Sequence, residues 1–211
     1  MGINIIENIT VRVLEEVKYV LENSGIIVLP TDTNYNLVCD ASSKVAINKI
    51  FMIKEREKHN HLSLFFSKRD DWKKYGFSQN NNAVEKIVQY FWPGPLNIIL
   101  NKMDTVPDCI LNGGNTVALG CISNPTWQKV VAYYGKPVTL TSANRSGKAK
   151  DTLVTKEIAL EHVGKHVNMF FIDDIRKTTT KSSTIIDFTD NEFKIRRIGD
   201  ITALQIKQLL S

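Results

Sequence analysis

Residues 30–36 read Pro-Thr-Asp-Thr-Asn-Tyr-Asn and follow directly on the apolar run Gly25–Leu29. Two more polar segments stand in the same relation to apolar runs. Thr141–Gly147, Thr-Ser-Ala-Asn-Arg-Ser-Gly, follows Pro137–Leu140, and Ser183-Thr-Ile-Ile-Asp187 follows Lys-Thr-Thr-Thr-Lys at 177–181. Hydroxyl and amide groups at the carboxyl ends of strands can cradle a phosphate or a carboxylate without adding charge. A loop held by its own Asx or ST turns is the alternative for any one of them. Lys54 and Arg56 supply cations. At the end of a helix they complement its dipole, or they leave it toward a triphosphate, Arg gripping two oxygens and Lys acting as a point charge. His59 and His61 are two residues apart with no acidic or cysteine cluster beside them, which makes a poor metal site. Neither a Walker loop, a Rossmann glycine fingerprint nor a zinc signature is present, and the Leu-Asn-Gly-Gly-Asn stretch at 111–115 reads as a turn.

The elements that must position these groups follow from periodicity. Helical spacing of apolar residues predicts helices over 10–25, 42–58, 83–92, 125–135, about 155–163 and from about 202. Short apolar or alternating runs predict strands at 26–29, 62–66, 96–100, 116–122, 137–140, 169–172, 183–187 and 193–198. Residues 30–36 read as a polar segment after a strand, either a turn or a binding site. Helices alternate with strands early and hairpin character comes late, so the expected fold is α/β, with a sheet of mixed parallel and antiparallel direction. With no repeat, low-complexity stretch or Pro/Gly linker, residues 1–211 read as a single domain.

Composition agrees with a globular α/β chain: 43% hydrophobic, 23% charged, 211 residues. Neither a signal peptide nor an apolar run of about 18 residues is visible, so a membrane partner is not expected and the chain reads as cytoplasmic. Cys39, Cys109 and Cys121 lie at no metal spacing and read as reduced core thiols. The net charge of +5 favours anionic partners such as nucleotides or RNA.

Taken in order, the motifs resemble one family. Pro-Thr-Asp-Thr-Asn-Tyr-Asn-Leu (30–37), Lys-Glu-Arg (54–56), Trp-Pro-Gly-Pro-Leu (92–96), Ser-Ala-Asn-Arg-Ser-Gly (142–147), Ser-Thr-Ile-Ile-Asp (183–187) and Arg-Ile-Gly (197–199) are similar to the motif series of the YrdC-like threonylcarbamoyl-AMP synthases. The resemblance implies a twisted mixed sheet with flanking helices and a basic concave face. It implies synthesis of threonylcarbamoyl-AMP from L-threonine, bicarbonate and ATP carried with Mg²⁺, for modification of adenosine 37 of tRNA. It implies Lys54 and Arg56 as catalytic residues, and Lys54, Arg56, Asn60, Ser142, Asn144 and Arg197 around ATP. Thr31, Thr33, Tyr35 and Ser183 would meet the amino acid or carbamate, with no protein metal site. Partner proteins of tRNA modification and non-specific RNA are implied as well.

The series also departs from that pattern. Asn36 stands where the family has glycine, and Glu57 where it has proline. His61-Leu62 replaces a Pro-Leu pair. Phe65 or Phe66 stands where members often carry a histidine, and Gly120 where they carry an arginine. That histidine and arginine are associated with threonine, so these departures predict a remodelled small-molecule half, with Arg145 or Arg196 as possible substitutes for the lost cation. Three readings compete: a threonylcarbamoyl-AMP synthase, an enzyme activating another small amine or carbamate as an adenylate, and a non-catalytic nucleotide- or double-stranded-RNA-binding protein. With threonine as substrate, Gly120→Arg is expected to restore a contact to it.

Overall fold

The computed structural model describes residues 2–55, 61–147, 152–173 and 178–211. Along the described chain run β1 (Ile5–Ile6), α1 (Val11–Glu22), β2 (Ile27–Pro30), β3 (Tyr35–Asp40), α2 (Lys44–Lys54), β4 (Ser63–Phe65), β5 (Gly76–Phe77), α3 (Asn81–Phe91) and β6 (Leu96–Lys102). Then come β7 (Thr116–Gly120), α4 (Pro125–Tyr134), β8 (Val138–Ser142), α5 (Lys156–Val163), β9 (Met169–Phe171), β10 (Thr184–Asp187), β11 (Lys194–Arg197) and α6 (Ala203–Leu210). The strands form one mixed sheet in the order β1-β9-β2-β3-β8-β4-β7-β6-β10-β11, with β5 beside β6. The α/β mixed sheet expected from the sequence is therefore the observed one.

Local chemistry sets the element ends. Thr10, Ser43 and Asn124 cap α1, α2 and α4, each accepting a backbone N–H with its side-chain oxygen. Pro125 opens α4, and Gly135, at φ 74°, closes it in the left-handed region.

Two expectations change. Residues 35–40, the end of the polar segment and the stretch after it, form a strand: β2 and β3 pair antiparallel from Ile27↔Val38 to Pro30↔Tyr35. Hairpin character is thus present early as well as late. Leu37, Val38 and Cys39 form a short apolar run without alternation, flanked by the polar Asn36 and Asp40, and all five are buried. The second helix stops at Lys54 rather than 58, because Glu55 turns left-handed at φ 52° and the Lys54 carbonyl accepts from Ser146 N at 2.9 Å.

Each strand sends alternate residues to opposite faces. One face, with Val28, Leu37, Leu64, Ile98 and Leu119, packs under α2, α3, α5 and α6. On the other, Ile27, Leu29, Val38, Phe65 and Val138 pack under α1 and α4. That second cluster takes no residue from β6, β7 or β10. The helical cover therefore ends at Phe65, and beyond it the sheet face is half-buried, as the alternation along β6 shows. A ligand site can form only where backbone and side chains are left uncovered, and this margin is such a place.

Candidate active site

Register identifies the floor of the site. Phe65 pairs with Gly120, Gly120 with Asn97, Asn97 with Ile185, and Ile185 with Arg197. Laterally paired residues share a face, so these five positions form one line across β4, β7, β6, β10 and β11. Asn36 and Ser142, also paired, continue the face on β3 and β8. A cleft of about 280 Å³ lies over it, walled by the 31–34 turn, His61 and Ser182–Ser183.

The 31–34 turn is held from within. Thr31 Oγ1 donates to Asn34 O at 2.7 Å and accepts from the N–H groups of Thr33 and Asn34 at 3.3 and 3.2 Å. Asn36 Nδ2 donates to Thr31 Oγ1 at 3.0 Å and to Asn34 O at 3.1 Å. Asn34 Oδ1 accepts from Val154 N at 2.7 Å. Asp32 faces the opening of α4, where both its carboxylate oxygens accept from Ser123 N at 3.0 Å. The wall at 178–183 is fastened to this turn, since Thr179 Oγ1 donates to Asp32 O. On its other side, the Asp200 carboxylate accepts from Thr180 Oγ1 at 2.6 Å and from the amides of Thr180 and Lys181.

The late motifs interlock at one edge. Thr184 Oγ1 donates to Ile201 O and accepts from Gly199 N, at 2.7 and 2.8 Å. A Cβ on Gly199 would stand 2.3 Å from Ser182 O and 2.8 Å from Thr184 N, so only glycine lets β10 approach this closely. Arg197 Nε donates to Ser183 O at 2.8 Å, which fixes the guanidinium beside the cleft. A guanidinium carries five N–H donors, and the other four of Arg197 bond no protein atom among the described residues. Burial lowers its pKa, yet arginine stays charged. It is a fixed cation with donors to spare, suited to phosphate.

Of the residues expected at the site, Thr31, Thr33, Ser142, Ser183 and Arg197 line the cleft. Arg56 and Asn60 lie outside the described residues. Lys54 and Asn144 sit behind the cleft wall rather than in it. Lys54 is 3% exposed, and its ammonium donates to Ser142 O and, at 2.8 Å, to Asn144 O. Asn144 Oδ1 accepts from Ser142 Oγ at 2.7 Å, and its Nδ2 donates to Arg145 O. These contacts tie Lys54 and Asn144 to the turn that carries Ser142. Tyr35 faces the opposite side of the sheet, stacked on Phe170 with ring centroids 5.9 Å apart. Odd-numbered β3 residues face that core, which is why Tyr35 cannot share the cleft with Asn36.

The substitutes considered for a missing cation are placed elsewhere. Arg145 reaches Glu55 at the surface, and Arg196 grips Asp187 through Nε and Nη2 at 2.9 and 2.7 Å. Neither lines the cleft. Phe65 and Phe66 also part company: Phe66 stacks with Tyr75 and meets Trp92 in the opposite core, and Phe65 alone reaches the cleft. Other cleft groups escaped the sequence reading. Ser63, Asn97 and Ser182 also line it, and their side chains bond no described protein atom. Ser63 and Asn97 stand in runs that read as apolar strands, and only register shows that both face the opening.

A family model described as "Telomere recombination", that of Sua5, YciO and YrdC, matches residues 19–199. The chain belongs to the Sua5/YciO/YrdC family. A relative from Methanocaldococcus jannaschii, provisionally named threonylcarbamoyl-AMP synthase, is 33% identical over 90% of this chain and 87% of its own. The threonylcarbamoyl-AMP synthase of Pyrococcus abyssi is 27% identical over 90% of this chain, which spans only 55% of that protein. The crystal structure of P. abyssi Sua5 complexed with L-threonine superposes with a TM-score of 0.88 at 24% identity, covering 100% of this chain and 61% of that one. At that identity the superposition speaks for the Sua5/YciO/YrdC fold. Among the described residues no helix is long and apolar enough to cross a membrane.

Proposed function

We propose that this chain makes threonylcarbamoyl-AMP from L-threonine, bicarbonate and ATP, as one cytoplasmic domain serving tRNA modification. The observation that carries the reading is convergence: four separate motif segments, those of Thr31–Thr33, Ser142, Ser183 and Arg197, meet in one cleft. Family membership and the names of the relatives support the same activity.

In the proposed reaction the threonine amine and bicarbonate condense to a carbamate with loss of water. A carbamate oxygen then attacks the α-phosphorus, the bond from that phosphorus to the β-phosphate oxygen breaks, and pyrophosphate leaves. Mg²⁺ carried with the nucleotide would neutralise charge on the phosphates, and no side chain of this chain is assigned to it. A carbamate is short-lived in water, so holding it against the α-phosphate makes the step local. Arg197 directs its spare N–H groups to the charge on the phosphate oxygens. Ser182 and Ser183 add neutral donors beside it. Lys54 acts from behind by fixing Ser142, and Arg56 and Asn60 are assigned to ATP with it. Thr31 and Thr33 take the amino acid or carbamate, and Tyr35 supports their turn from the far side of the sheet. No covalent nucleophile is needed. The Cys121 thiol, pushed up to about 12 by burial, is unsuited to be one.

The test supplies ATP, labelled bicarbonate and L-threonine and follows pyrophosphate together with label in threonylcarbamoyl-AMP. Release that requires all three, with label in the adenylate, is the expected result. Pyrophosphate release indifferent to bicarbonate and to amino acid would sink the proposal, as would no release from folded protein.

A further inference from the structure

The cleft is electrically and chemically lopsided. Arg197 stands at one end of the floor, and Phe65 stands four strands away, on the order of 19 Å at the usual strand spacing. Around Phe65, on the stretch of floor that continues to the polar Ser63, Ser142 and Asn36, the lining includes apolar side chains. Phe65 and Ile122 belong to the core cluster under α4, Leu140 packs against that cluster, and all three line the cleft. The ring of Phe65 meets Trp127 edge to face, with centroids 5.9 Å apart. It also lies across Gly120: a Cβ there would be 2.3 Å from Phe65 Cε1 and 2.7 Å from Cδ1. The missing side chain at 120 is what lets the ring lie flat over β7 and close the floor.

A ligand spanning this cleft places its anionic part by Arg197 and an uncharged carbon group against Phe65. We infer that Phe65, bedded on Gly120, is the specificity-determining wall of the small-molecule end: the amino acid's side-chain carbons pack on its ring, and the ring limits how long that side chain can be. The inference rests on the adenylating function proposed above and adds which residue chooses the amino acid. A short side chain such as that of threonine ends at the ring. A longer one requires the ring to leave its contacts with both Gly120 and Trp127.

The experiment measures kcat/KM for pyrophosphate release across glycine, alanine, serine, threonine, valine, leucine and methionine, with ATP saturating. Wild type is compared with Phe65→Leu and Phe65→Ala; the leucine variant keeps apolar contact with Trp127 where alanine risks the fold, and circular dichroism checks both. Wild type should favour the short side chains. The variants should raise the leucine-to-threonine ratio by about tenfold or more, the scale of a few methylenes in an apolar pocket, with the KM for ATP changed less than about twofold. A folded Phe65→Leu that slows every amino acid equally, leaving their order unchanged, overturns this inference alone. A wild type that accepts no amino acid overturns the functional reading, and the inference falls with it.

Discussion

Lys54→Met separates two roles for a buried cation. If Lys54 touched only the nucleotide, the substitution would cost affinity and leave stability nearly untouched. In the structure its ammonium is 3% exposed and donates to the carbonyls of Ser142 and Asn144, the latter at 2.8 Å. A hydrogen bond to a charged group contributes about 1.5–3 kcal/mol. Losing two would cost about 3–6 kcal/mol if the carbonyls found no substitute. Ser142 is half-buried and Arg145 exposed, so water can reach part of the loop. Methionine also refills most of the stem. The expected loss is therefore about 2–4 kcal/mol. Urea unfolding reads it as a lower midpoint at constant slope. Nucleotide affinity, measured on the folded fraction, should fall as well, because Ser142 and the 142–147 loop lose their tether. Hydrogen exchange should then quicken at Ser146 N, whose acceptor is the Lys54 carbonyl. A variant within about 0.5 kcal/mol of wild type that had nonetheless lost ATP would show the ammonium acting on the ligand directly, against this geometry.

Gly120→Arg, expected from the motif pattern to restore a contact to threonine, instead drives a side chain into the Phe65 ring. It should destabilise by about 1–3 kcal/mol and give no gain with threonine. Combining it with Phe65→Ser should recover about 1 kcal/mol or more of that loss, read as non-additivity in a double-mutant cycle. Gly199→Ala meets backbone rather than a flexible side chain. It should cost about 2–4 kcal/mol and weaken phosphate binding through Ser183 and Arg197, measured by unfolding and by calorimetry with AMP. The Asp200 carboxyl is held below its ordinary pKa above all by the Thr180 hydroxyl; burial, next in size, opposes this, and the backbone amides of Thr180 and Lys181 add smaller lowering contributions. A lowered acid pKa means that the fastening of 180–181 is complete above about pH 4 and fades as pH falls through the folded value. Nuclear magnetic resonance signals of Thr180 and Lys181 should shift on acidification, and Asp200→Asn should remove that response.

The sequence shows the large elements because their periods are strong. The amphipathic face of α1, with Leu14, Val17 and Leu21 buried, and the apolar run that becomes β6 are both plain from residue order. Strand order is not legible, since β8 inserts between β3 and β4 although about a hundred residues separate β3 from β8. β1 and β5 are two residues long and have no period to read. For the site, motif order names Ser142, Ser183 and Arg197, and all three line one cleft. It cannot say that Lys54 turns its ammonium to the carbonyls of Ser142 and Asn144, because a cation at a helix end can also reach outward. Nor can it show that Phe65 and Gly120 are one feature. They are fifty-five positions apart, and only the parallel register of β4 and β7 lays the ring over the missing side chain.

Asn36 carries the last prediction, and it answers why strand β2 opens into so many polar groups. Thr31 Oγ1 gives its only proton to Asn34 O, so toward Asn36 both atoms can only accept. The Asn36 amide must therefore turn its NH₂ to the turn, as it does at 3.0 and 3.1 Å. Its oxygen is left on the side of the cleft. Asn36→Asp keeps the shape and replaces two donated hydrogen bonds by an anionic oxygen facing two acceptors. With the site 5% exposed, the loss should be about 2–4 kcal/mol at pH 8. The new carboxyl should have a raised pKa, since burial and the two acceptors both favour its protonated form. A raised acid pKa places the penalty above the folded value and removes it as pH falls toward the unfolded one. The stability gap to wild type should thus shrink between pH 8 and pH 5, followed by urea midpoints at each pH. A gap that stays constant across that range would mean that the aspartate reaches water and that the turn does not hold residue 36 as described.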